Sequence, residues 1–182
     1  PRSYLFESVV PTFERLKKEG KIGGWGFALG QESALEAVIA SDTPPSAVQC
    51  VVNPLNSAGN IAYTTETFDG RKILEACKQH HVPTLAIRAV QAGALTSAMD
   101  RELPDDDADR RDFDRAAGFR QLASEWGETP ARLAHRYALS IEGPSSVILG
   151  VKNREELSEC VEAERAPRLT DSQCKQIEAA CA

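Results

Sequence analysis

Ala47-Val48-Gln49-Cys50-Val51-Val52 is a short, nearly continuous apolar run. A strand of this kind is buried on both faces, as the strands of a helix-covered parallel sheet are. The pattern on either side of it fits that reading. Towards the N-terminus, residues 31–41 carry Ala34, Leu35, Val38 and Ile39 on one helical face, and residues 22–27 form a short glycine-rich strand. Before that, Phe6, Val9, Val10, Phe13 and Leu16 recur at i, i+3, i+4 spacing, which predicts a helix over 4–19. Gly20 suits the left-handed residue just past its end.

Towards the C-terminus, a loop through Ser57, Gly59 and Asn60 leads to a helix over 69–80 and a third strand over 82–87. A polar segment containing Pro104-Asp105-Asp106-Asp107 then reads as a solvated loop. Ala116, Phe119, Leu122, Ala123 and Trp126 mark the next helix. Thr129-Pro130 is an N-cap followed by proline at the first helical position, opening a helix that runs to Ser140. Ser146-Val147-Ile148-Leu149 is the fourth strand. Asn153 with Glu156, and Thr170 with Gln173, are capping-box patterns that open two terminal helices.

The order is therefore one helix and then four strand–helix units, with an extra helix near the end. Strands separated by helices give a parallel sheet in an α/β fold. No repeat, low-complexity tract or linker divides residues 1–182, which read as one domain or part of one. Pattern alone leaves two architectures open, a small doubly wound sheet and half of an eight-stranded barrel.

Composition narrows the function classes. The 182 residues are 42% apolar and 26% charged, with a net charge of -6. That balance is ordinary for a globular domain and argues against nucleic-acid or anionic-membrane partners. No apolar run reaches the roughly 20 residues of a membrane span, and the first residues lack the pattern of a signal peptide. Cys50, Cys77, Cys160, Cys174 and Cys181 are widely spaced, and His80, His81 and His135 fall at no zinc-ligand spacing. The expectation is small core cysteines, no metal, and a reducing cytoplasm.

Ligands in either architecture bind at the carboxyl ends of the strands. On the second strand, Val48, Cys50 and Val52 share one face, and Gln49, Val51 and Asn53 share the other. Buried amides need partners, which a ligand amide, backbone or water can supply. The third strand exits through Arg88 and the small residues Ala-Val-Gln-Ala-Gly-Ala, where backbone can approach a phosphate, or which form an ordinary loop exit. Val147-Ile148-Leu149-Gly150-Val151-Lys152-Asn153 carries the sharpest local signal. It runs from a buried strand through glycine and lysine into a capped helix, whose free N–H groups and dipole favour an anion. The alternative is a surface lysine near a helix start. His135 reads as a packing or surface residue, and no nucleophile–base constellation, Walker loop or dinucleotide fingerprint is present.

Five segments in register resemble the aldo/keto reductase family. Gly20-Lys21-Ile22 through Trp25-Gly26 is similar to the family's G-K-I-R-x-I-G-V-S strand, and Val48-Gln49 through Asn53-Pro54-Leu55 to its V-Q-x-x-Y-N-P-L strand. Leu85-Ala86 through Gly93-Ala94-Leu95-Thr96 resembles I-A-Y-S-P-L-x-x-G-L-L-T. Glu128-Thr129-Pro130-Ala131-Arg132-Leu133-Ala134 resembles G-V-T-P-A-Q-L-A-L. Val147-Ile148-Leu149-Gly150 through Asn153 and Glu155-Glu156-Leu157 is similar to V-I-P-G-A-R-N-P-E-Q-L-x-E-N.

The resemblance implies a (β/α)8 TIM barrel of which this chain covers roughly the last four strand–helix units. It also implies an NADP-dependent oxidoreductase that reduces aldehyde or ketone carbonyls by hydride transfer. By position, Gln49 would bond the nicotinamide carboxamide, and backbone at Arg88 and Val90 would line the pyrophosphate. Gly150, Val151 and Lys152 would hold the 2′-phosphate, with Glu156, Glu159 and Cys160 along the adenine and its ribose. The sequence departs from the family at Ala28-Leu29 (Ser-Asn in the family), Ile87 (the tyrosine that stacks on the nicotinamide), Arg88 (serine) and Cys160 (asparagine). The family's Asp, Tyr, Lys and His tetrad belongs to the first four strands, so no residue here is named catalytic. The expectations are an isolated chain without turnover, a missing N-terminal half as partner and a small carbonyl compound as substrate. Two alternatives are a non-catalytic NADP-binding or assembly module and an unrelated doubly wound phosphate binder.

Overall fold

The computed structural model describes residues 2–28, 32–61 and 69–182. A short helix α1 (Arg2–Tyr4) continues through a π-helical turn (Leu5–Val9) into α2 (Val10–Lys18). Then follow β1 (Gly26–Ala28), α3 (Glu32–Ile39), β2 (Ala47–Val51), α4 (Gly70–Gln79) and β3 (Thr84–Ile87). α5 (Ala108–Arg115), α6 (Ala117–Glu125), α7 (Pro130–Ser140), β4 (Pro144–Val147), α8 (Arg154–Arg165) and α9 (Asp171–Ala179) complete the order. Leu29 of the Ala28-Leu29 departure and Gln31 of the predicted 31–41 helix lie outside the described residues.

The strands lie in sequence order β1-β2-β3-β4, every pair parallel. The apolar run over 47–52 explains why. Val48 and Cys50 face α3 and α4, and bury against Leu35, Ile39, Ile73, Leu74 and Cys77. A second cluster, centred on Phe119, Leu133, Tyr137 and Ile177, binds α6, α7 and α9 together. All five cysteines are free and buried.

Three local expectations shift. The first strand was expected over 22–27, but pairing is confined to Gly26–Ala28. Trp25 instead turns inward, stacks on Phe13 at 5.7 Å and donates its indole N–H to Glu14 at 2.5 Å. Gly26 must be glycine, because a Cβ there would meet the Ala47 carbonyl oxygen at 2.2 Å. The last strand begins two residues earlier than expected and ends at Val147, although the Ile148 N–H still bonds to the Ala86 carbonyl at 2.8 Å. Its start is fixed from outside the strand, by the Thr84 hydroxyl donating to the Gly143 carbonyl. Pro144 is tolerated because β4 is an edge strand.

The third shift is the largest. Residues 104–107 form the solvated loop expected of the Asp105-Asp106-Asp107 run, but the polar segment around them also holds an unanticipated helix, α5, which Asp107 caps by accepting from the N–H groups of Asp109 and Arg110. Asp109 and Asp112 of that helix are almost fully buried. Among the described residues, no helix is long and apolar enough to cross a membrane.

Candidate functional site

A cavity of about 510 Å³ opens at the carboxyl ends of β3 and β4. That size is within the ordinary range for small-molecule sites. One wall comes from the exit of β3, through Val90, Ala92 and Gly93 and on to Asp100 and Arg101. The opposite wall is the exit of β4 and the start of α8, through Gly150, Val151, Lys152, Glu156, Glu159 and Cys160. The first turns of α7, with Thr129, Ala131 and His135, close the remaining side.

The α8 wall follows from local sequence. Asn153 is in the extended conformation and its side chain accepts from the Glu156 N–H at 2.8 Å, so the helix starts here. The Glu156 carboxylate reaches back to the Lys152 N–H at 2.7 Å. The Lys152 ammonium sits 2.6 Å from Asp100 across the cavity mouth and 3.5 Å from Glu156. Asp100, and then Glu156, hold the ammonium above the ordinary lysine range. Lys152 and Arg101 in turn hold the Asp100 carboxyl below the usual carboxylate range. An anion arriving at Lys152 must therefore exchange with Asp100.

The β3 wall has another origin. Arg88, Gln91 and Ala92 all adopt left-handed backbone, with φ of 62°, 46° and 50°. Such conformations are disfavoured for non-glycine residues and persist where surroundings impose them. Here the surroundings are a buried polar network. The Arg88 guanidinium pairs with Asp109 at 2.8 Å and donates to the Ala58 carbonyl and the Gln91 side chain. Gln91, fully buried, donates to Asp112 at 2.7 Å, and Asp112 accepts from the Ser57 hydroxyl at 2.6 Å. Asn53 donates to the Ser57 and Arg88 carbonyls and to Gln91. Arg101 links Asp109 to Asp100, and so ties this network to the cavity mouth.

On the α7 side, His135 is 7% exposed, and burial lowers its pKa below the ordinary histidine range. Its Nε2 lies 3.3 Å from the Cys160 sulfur. Burial, followed by Glu159 and Glu156, pushes that thiol up. The Thr129 hydroxyl donates to Glu159.

Seven of the ten residues singled out from the sequence share this cavity: Val90, Gly150, Val151, Lys152, Glu156, Glu159 and Cys160. The other three stand elsewhere. Gln49 is half-buried in mid-strand on β2, between Ala28 and Leu85 in register. Ile87 ends β3 opposite Val51. The Arg88 side chain points into the Asp109 network and has its charge balanced there. Sequence reasoning missed Asp100, Arg101, Thr129 and His135. For His135 a signal existed, since it follows Ala131 by four residues and so shares its helical face. Nothing in the spacing marks Asp100 or Arg101. Tyr4 is exposed on α1, and Tyr137 is buried with its hydroxyl on Glu178, so neither lines the cavity. A smaller cavity of about 270 Å³ lies between α4, α7 and α9. Its cations are paired internally, Arg71 with Glu178 and Lys78 with Glu142.

Among curated proteins none matches the chain. Solved structures do. Aldo-keto reductase AKR11C1 from Bacillus halodurans, in its apo form, superposes with a TM-score of 0.72 at 17% identity, covering 96% of this chain and 56% of its own. The glycerol dehydrogenase AKR11B4 from Gluconobacter oxydans gives 0.67 at 21% identity, covering 94% and 52%. A mutant of Gox0644 in complex with NADPH gives 0.62 at 19% identity, covering 94% and 51%. The chain thus spans about half the length of the structures it matches, and its parallel α/β architecture is consistent with part of a TIM barrel. The sequence profile described as "Aldo/keto reductase family" matches residues 1–182, and the chain belongs to that family.

Proposed function

We propose that this chain is the cofactor-holding part of an NADP-dependent oxidoreductase that reduces aldehyde or ketone carbonyls. The observation that carries this reading is the cavity at the carboxyl ends of β3 and β4, with Lys152 beside the capped start of α8. A helix N-terminus with an adjacent ammonium suits a phosphate, and barrels commonly hold phosphate in the loops after the last strands. The NADPH complex of the Gox0644 mutant supports the choice of cofactor.

The residues present fit such a group. Lys152 and the first N–H groups of α8 would take the 2′-phosphate, with Asp100 giving way. Gly150 and Val151 would back the ribose, and Glu156, Glu159 and Cys160 would flank the adenosine. Bound NADPH supplies the hydride for the carbonyl carbon. Gln49 and Ile87, nearer the sheet axis, would face the nicotinamide end.

Catalytic groups would come from elsewhere, because neither Tyr4 nor Tyr137 reaches the cavity. A complement of further strands has a place to dock. Beyond the edge strand β4, Ile148 and Leu149 are 41% exposed, and on α8 Leu157 and Val161 are exposed as well. We assign that complement to a missing N-terminal half, and expect no turnover from the chain alone. The chain's location in the cytoplasm is part of the same proposal.

Titration of the chain with NADPH and NADH tests the cofactor site. Lys152→Glu should weaken NADPH by roughly tenfold more than NADH, because a charge-assisted phosphate bond is replaced by repulsion. Equal losses for the two cofactors would overturn the assignment. Restoring a family N-terminal half should bring carbonyl reduction. Nucleotide binding without turnover in that longer protein would favour a non-catalytic NADP-binding or assembly module.

A further inference from the structure

Residues 57–60, in the loop that follows β2, take no part in the cavity wall, yet they are fastened to it through charge. The Arg88 guanidinium donates to the Ala58 carbonyl at 3.0 Å, and the Asn60 N–H donates to Asp109 at 3.3 Å. The Asn60 side chain adds bonds to Asp107 at 2.9 Å and to Asp109 at 3.3 Å. Gly59 lies between them in left-handed backbone, with φ of 55°. A Cβ there would meet Asp109 Oδ1 at 2.0 Å, the Gln91 amide nitrogen at 2.6 Å and the Arg88 guanidinium at 2.7 Å. Only a glycine lets the loop close on this network.

From Asp109 the contacts run outward to the cavity mouth. Asp109 is 5% exposed in its side chain, and its Oδ2 accepts from Arg101 at 3.2 Å. Arg101 also donates to the carbonyl of left-handed Ala92 at 3.0 Å and to Asp100 Oδ1 at 3.0 Å. Asp100 Oδ2 takes the Lys152 ammonium at 2.6 Å. One carboxylate is thus shared between two cations, and an incoming phosphate needs only Lys152. Once the phosphate holds Lys152, Asp100 stands beside it as a like charge, which opposes binding. Arg101 keeps that carboxylate neutralised and turned away. A long side chain 40% exposed keeps one position only where partners fix it, and buried Asp109 is such a partner.

We propose that Asp109, seated by Gly59, is a positioning residue for nucleotide binding and acts through Arg101 on Asp100. The loop after β2 then helps to set the affinity of a cavity it does not line. The inference rests on the cofactor reading above and deepens it, because it adds residues that govern the site from outside. Such coupling is reciprocal, so nucleotide binding must also tighten the loop.

The test is a double-mutant cycle in which the 182-residue chain is titrated with NADPH. Asp109→Asn should weaken NADPH about fivefold in the wild-type background. In an Arg101→Met background the same change should add no more than about twofold, because its route to Asp100 is already cut. Gly59→Ala should follow the same pattern, and Asp109→Asn carries the test if the alanine variant does not fold. A general loss of packing would weaken binding alike in both backgrounds. Equal losses therefore overturn the inference and leave the cofactor site standing, as does no loss in either. Hydrogen exchange reads the coupling in reverse. NADPH should slow exchange of the Asn60 amide in the wild type and not in Arg101→Met, and an unchanged rate in the wild type also overturns the inference. Failure of the wild-type chain to bind NADPH at millimolar concentration overturns the cofactor reading, and this inference falls with it.

Discussion

The two walls of the cavity face one another and are made by opposite means. The α8 wall is local. A strand end, Gly150, Lys152 and an Asn153 cap follow in sequence, and the helix start they produce is exposed to water. The β3 wall is non-local. Left-handed Arg88 and Gln91 are held by Asn53, Ser57, Asp109 and Asp112, which come from up to 38 residues away. The difference teaches where strain is kept: a backbone that departs from ordinary conformations needs buried, fully bonded partners. A helix end needs only its own cap.

The contrast can be broken most forcefully at Asp109. Asp109→Ala leaves the Arg88 guanidinium, itself mostly buried, without its charge partner. Removing one member of such a pair costs about 3 kcal/mol, and urea unfolding should report it. Asp109→Asn keeps the shape and part of the bonding, and should lose less. If both variants unfold at the wild-type midpoint, the network is not what holds the β3 wall.

On the other wall the corresponding change is smaller. Asn153→Ala removes the cap on the Glu156 N–H and should cost about 1 kcal/mol. Hydrogen exchange should show the loosening confined to the first turn of α8, with the β3 exit protected as before. Spread of the effect to residues 88–101 would show that the two walls are coupled.

A pH series isolates the α7 side. Burial depresses the His135 pKa, opposed by Glu159, so in acid the unfolded chain takes up the proton first. Its contribution is therefore complete above the ordinary histidine range and is lost as the pH falls through that range towards the folded value. In His135→Leu the fall in stability between pH 7 and 5 should be shallower than in the wild type. Parallel curves would mean that another group titrates there.

The smallest effect is expected at the bridge between the walls. Lys152 and Asp100 are 62% and 45% exposed in their side chains, so their ion pair is well screened. Lys152→Met should leave Tm unchanged within error while altering nucleotide binding. A marked drop in Tm would make the pair a structural clasp.

Much of this was legible before any coordinates. The 47–52 run announced a buried parallel strand, and Thr129, Asn153 and Thr170 announced helix starts, because capping and burial patterns act over a few residues. The helix that Asp107 opens was missed for a related reason. The run of carboxylates is solvated as it looks, but one of them also closes a helix N-terminus, while Asp109 and Asp112 just beyond it turn inward to Arg88, Gln91 and Ser57.

Sequence alone determined the alternation of strand and helix, the caps and the small residues at strand ends, since each depends on periodicity or on backbone groups a few positions apart. The tertiary structure decided which charges meet. It turned Arg88 away from the cavity and into a carboxylate, set Asp100 against Lys152, and brought His135 to Cys160. Electrostatic and hydrogen-bonding partners are chosen by distance in space, and the chain folds residues far apart in sequence to within hydrogen-bonding distance of one another.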